Sequence, residues 1–75
     1  MEPKAIAPII KACFAEMRAK LREAQHIAKA AEACVEAGRL DEAVQVSMGI
    51  EQLVYDADRL HIAVALLGRM SMENR

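Results

Sequence analysis

The sequence predicts an all-α fold: an antiparallel two-helix hairpin that homodimerises into a four-helix bundle. Three observations carry this expectation. The chain is 55 % hydrophobic over 75 residues, yet only Phe14 and Tyr55 are aromatic. Alanine, leucine, isoleucine, valine and methionine supply the rest, a composition that favours helix over strand. One strong turn signal, Gly38-Arg39-Leu40-Asp41, divides the chain, and apolar residues on both sides of it recur in alternating steps of four and three, the spacing of one helix face. At this length the chain is a single domain, residues 1–75, too short to bury a large core without a partner.

Helix one is expected over about residues 5–37. Pro3 and Pro8 set its start between Lys4 and Pro8, because proline is tolerated in a first turn and costly further in. Gly38 ends it, as the residue that enters the left-handed conformation most easily. The turn is expected over residues 38–41, with Asp41 as N-cap of helix two and Glu42 in its first turn. Helix two is then expected over about residues 42–69, with Ser71 to Arg75 frayed.

In helix one, Ile10, Phe14, Met17, Leu21, Ala24, Ala28, Ala31 and Val35 form an a/d seam. Ile6, Cys13, Ile27 and Cys34 recur beside it every seven residues, interrupted by Lys20. In helix two the matching seam is Ala43, Val46, Ile50, Leu53, Ala57, Leu60, Val64 and Leu67. A loop centred near residue 40 would set Ala28 and Ala31 near Leu53 and Ile50, and Phe14 near Leu67. Helix two carries a second apolar face of Val44, Met48, Tyr55, Ile62, Ala65 and Leu66, extended by Met72. One partner helix does not cover both faces of such a helix, and a self-complementary patch is how two-fold homodimers form. These residues are the expected oligomer interface.

No catalytic or cofactor motif is present, so no enzyme and no cofactor is expected. Cys13 and Cys34 are 21 residues apart on one helix, roughly 31 Å along its axis and far beyond disulfide reach. They read as small buried hydrophobes. The apolar run Ala5 to Ile10 ends at Lys11 and is no secretion signal, and no run approaches the length of a membrane span. A cytoplasmic protein that does not engage membranes is expected, with net charge −1 giving no global attraction to polyanions.

Two patterns could carry chemistry. Glu23 with His26 and Asp58 with His61 are acid-x-x-His pairs, whose members share a helix face and are spaced to hold a metal ion. Within one hairpin they fall out of register, so only a dimer would unite them; two surface histidines are the expected reading. Lys4, Lys11, Arg18, Arg22 and Lys29 form a basic stripe on one face of helix one, which suits phosphate contact. Without an exposed aromatic to stack a base, a solvated flank is the expected reading of that stripe.

The segment Ala33 to Ala43 resembles the turn between the helices of a tetratricopeptide repeat. Its flanking helices are about twice the length such a repeat uses, and no second repeat follows, so the resemblance is one of turn chemistry. The layout is similar to Rop-type hairpin dimers in architecture, with no shared motif. Neither implies a function. The functional expectation is a small, non-enzymatic, oligomerising protein-interaction module that pairs with its own copy, with another protein as the further partner such a surface could take. RNA or DNA binding through the basic stripe, and metal binding through the acid-x-x-His pairs, are the alternatives.

Overall fold

The structure, a computed structural model, describes residues 3–73. It is a hairpin of two helices, α1 (Pro3–Glu36) and α2 (Leu40–Glu73), each of 34 residues and packed along each other. Among the described residues there is no strand. The hairpin is a rod of 57 × 14 × 11 Å.

The turn is shorter than the sequence suggests, and its hydrogen bonds explain why. Gly38 adopts φ +78°. Its N–H donates to the Val35 carbonyl at 3.0 Å, and the Arg39 N–H donates to the Cys34 carbonyl at 2.8 Å. This pair of bonds is a Schellman motif, which satisfies carbonyls that the end of α1 would otherwise leave free. The motif turns the chain so sharply that α2 starts at once. The Arg39 carbonyl accepts from the Ala43 N–H at 3.0 Å, which makes Arg39, not Asp41, the cap residue. Asp41 and Glu42 instead occupy the first turn of α2, where carboxylates favour the positive end of the helix dipole. Glu42 also pairs with Arg39, Nε to Oε2 3.1 Å.

The helix ends differ too. Pro8 lies inside α1 rather than at its start. Its ring nitrogen has no hydrogen to give the Lys4 carbonyl, a loss of about 3 kcal/mol in a helix interior. Lys4 is exposed, so water can take the free carbonyl. Ile6, at 1 % exposure the most buried large side chain, ties the same turn to α2. At the other end Ser71 to Glu73 are helical, where fraying was expected. Asn74 and Arg75, the rest of that expected tail, lie outside the described residues, as do Met1 and Glu2.

The seam itself corrects the sequence reading on one side. On α2 seven of the eight expected residues face α1: Ala43 and Ala57 are buried, and Ile50, Leu53, Leu60, Val64 and Leu67 are half-buried, whereas Val46 is exposed. On α1 the Ile10 row (Ile10, Met17, Ala24, Ala31) faces inward as expected. Its companion is the Ile6 row (Ile6, Cys13, Lys20, Ile27, Cys34), which is buried or half-buried throughout. The Phe14 row does not pack in the seam: Phe14, Leu21 and Val35 are 49 %, 48 % and 52 % exposed, and Ala28 is exposed. The two candidate rows flank the Ile10 row symmetrically, so periodicity alone cannot choose between them.

Ile27 shows what the chosen register gains. A Cβ built on Gly49 would lie 3.4 Å from the Ile27 Cδ1, so Ile27 packs directly over Gly49 of α2. Ile27 and Gly49 are each eleven residues from Gly38. The fold pivot is therefore Gly38, two residues earlier than expected, and the expected pairing of Ala28 and Ala31 with Leu53 and Ile50 is displaced.

Candidate interaction surface

The hairpin covers little of its own apolar surface. Among the described residues only Ile6, Ala24, Ala43 and Ala57 are buried, while fourteen large hydrophobic side chains are exposed. Ile9, Val46, Met70 and Met72 lie apart, and the other ten fall on two surfaces. One is the outer face of α2, where Val44, Met48, Tyr55, Ile62 and Leu66 are exposed and Ala65 lies open beside them. Arg59 lies across part of it: Nη1 donates to the Tyr55 hydroxyl at 3.0 Å, and its guanidinium carbon is 5.5 Å from the ring centroid. Such an exposed cation–π contact contributes on the order of 0.5–1 kcal/mol.

The other surface went unrecognised in the sequence because most of its α1 row was assigned to the seam and its α2 row was assigned to no face. It is the flank formed by the Phe14 row (Ala7, Phe14, Leu21, Ala28, Val35) of α1 and the Leu40 row (Leu40, Ser47, Val54, His61, Gly68) of α2. Their placement follows from one contact. Ile27 leans to one edge of the seam and meets Gly49, so the Gly49 row of α2 lies on that edge. In an antiparallel pair like rows share an edge, which leaves the Phe14 and Leu40 rows together on the opposite one. The signal available in the sequence was that α1 has three adjacent apolar rows, while a single neighbour covers two.

The remaining candidates stay apart. Lys4, Lys11, Arg18, Arg22 and Lys29 are all exposed along α1, and Lys11 and Arg18 border a shallow depression floored by Phe14 and Ala15. Glu23, His26, Asp58 and His61 are exposed on their own helices. Among the described residues no three His, Cys, Asp or Glu side chains converge to hold a metal ion. With the pivot at Gly38, His26 lies level with Ile50 and so about 16 Å along the axis from His61. Cys13 and Cys34 are free and half-buried in the seam. Lys20 sits among them with its side chain 32 % exposed, its Nζ reaching Glu16 Oε1 at 3.7 Å. Its methylenes line the seam while the ammonium reaches water.

Among the described residues no buried side chain is polar or charged, and none is left without a hydrogen-bond partner. The depressions at Met48, Glu51, Gln52 and Tyr55 and at the turn are shallow and open. Among the described residues no helix is long and apolar enough to cross a membrane. Compared with family models, curated proteins and solved structures, the chain matches none.

Proposed function

We propose that this chain is a small, non-enzymatic interaction module that works as a homo-oligomer, through apolar surfaces a lone hairpin leaves in water. The observation that carries the proposal is surface area. A compact monomer of 8.3 kDa exposes roughly 4,600 Å², whereas this chain exposes 5760 Å². Its radius of gyration is 17.2 Å, against about 11 Å for a compact chain of this length. Two chains brought to the ordinary surface for their combined mass would bury roughly 3,900 Å² between them. That area falls within the roughly 2,000–5,000 Å² of obligate homodimers. Light scattering on a sizing column at micromolar concentration tests this reading. A mass of twice 8.3 kDa is the expected result, and a well-folded monomer would overturn it.

A second reading rests on the exposed basic side chains of α1, which supply positioned phosphate contacts. In that case binding to a duplex or single-stranded RNA probe at low ionic strength weakens steeply with salt, and Arg18→Ala reduces the salt slope by about one. Absence of binding at low ionic strength removes this reading.

A further inference from the structure

We propose that the second copy covers the flank made by the Phe14 and Leu40 rows, with the two hairpins antiparallel and the two-fold axis passing beside Leu21 and Val54. This rests on the homo-oligomer reading above and adds to it the face, the direction and the residues at the axis.

The flank is continuous and centred. Leu21 and Val54, both about half exposed, are seventeen and sixteen residues from Gly38. They therefore lie level with each other, near the middle of the two 34-residue helices. Each is also the middle member of its row of five.

Side-chain size along the rows decides the direction. Either side of Leu21, Phe14 is matched by Ala28, and Ala7 by Val35. Either side of Val54, His61 is matched by Ser47, and Gly68 by Leu40. In each pair a large residue sits at the same distance from the centre as a small one. An antiparallel copy turns the rows end for end, so Phe14 meets the partner's Ala28 and Leu40 meets the partner's Gly68. Every layer then has similar volume, as close packing requires. A parallel copy would place Ala7 and Gly68 of both chains in one layer, and Phe14 and His61 of both in the next. The first layer would hold a void and the second would be overpacked.

The rim charges test the same choice. Outside the Phe14 row, Lys11 comes level with the partner's Glu32 in the antiparallel arrangement. Outside the Leu40 row, Glu51 comes level with the partner's Asp58, two like charges in water. The parallel arrangement would instead bring Arg18 beside the partner's Asp58. Solvated rim pairs contribute less than a misfilled layer, so size prevails and the acid–acid contact is a cost the dimer carries.

The experiment uses the full chain with Cys13→Ala and Cys34→Ala. Leu21→Cys alone should form a covalent homodimer under mild oxidation or with a short bismaleimide. Val35→Cys alone should not, but Val35→Cys mixed with Ala7→Cys should. In the parent chain Leu21→Asp should weaken dimerisation at least about a hundredfold, because two charges meet at the axis. Asp58→Arg should tighten it about threefold by removing the rim repulsion. A dimer indifferent to Leu21→Asp would overturn the choice of face. A dimer in which Leu21→Cys links only to Val54→Cys chains, and which Asp58→Arg loosens, would overturn the direction alone. A parent chain that is monomeric would overturn the underlying homo-oligomer reading.

Discussion

The Ile6 row and the Phe14 row lie on either side of the same inward-facing row of α1, and the chain treats them oppositely. The buried row contains two cysteines and a lysine. The exposed row, Ala7, Phe14, Leu21, Ala28 and Val35, is apolar throughout. A helix with one neighbour would gain more by turning the second row inward, since each large apolar side chain removed from water contributes about 1.5–3 kcal/mol. Placing the greasier row outside is reasonable only if that row is also covered, by something beyond the hairpin. The choice of seam is thus itself an argument about assembly.

Substitutions in the two rows break or sharpen this contrast. The largest effect is expected from Phe14→Ala. Judged by its 49 % exposure in the hairpin, it should cost little. If the flank is covered in the dimer it should cost about 3 kcal/mol, near the range of buried phenylalanine truncation. Urea melts at micromolar concentration decide, and a cost below about 1 kcal/mol would leave the flank in water. Ile6→Ala, in the buried row, should cost about 2 kcal/mol in the same melts, the lower end of the range for a core isoleucine because it sits near the helix start. Lys20→Leu should raise stability by about 1 kcal/mol by completing the buried row, seen as a higher urea midpoint. Loss of stability would mean that the ammonium is needed where it is. The smallest effect is Gly49→Ala. The new Cβ would touch only the flexible end of Ile27 at 3.4 Å, and a helical glycine costs about 0.5–1 kcal/mol relative to alanine. A gain of about 0.5 kcal/mol is expected, and a loss would mark the Ile27–Gly49 contact as rigid.

Much of the fold was legible in the residues. Gly38 marked the turn because no other residue adopts φ +78° so cheaply. The seam of α2 was readable because its a/d rows have no equally apolar competitor on the inner side. The seam of α1 was half readable. The Ile10 row stood in either solution, but the choice between its neighbours depends on how α2 meets α1, which the periodicity of α1 alone does not encode. The cap was misread for a related reason. Asp41 has the side chain of an N-cap, yet the Schellman bonds from Gly38 and Arg39 fix where α2 begins, and local preference yields to them. Of the candidate surface, the outer face of α2 was visible as a pattern and the flank was not, since Phe14, Leu21, Ala28 and Val35 had been assigned to the seam and the Leu40 row, broken by Ser47, His61 and Gly68, shows no apolar pattern of its own.

The short turn and equal helices bring Pro3 and Glu73, the outermost described residues of α1 and α2, to the same end of the rod. In the antiparallel pair proposed above, one such end projects at each pole, separated by roughly the 57 Å length of a hairpin. Anything joined to the chain beyond those residues would leave the pair in two bundles facing opposite ways. Geometrically the dimer is then a double-ended strut: it would set two attached cargoes at a fixed spacing and keep them from touching, with either terminus an equivalent attachment point.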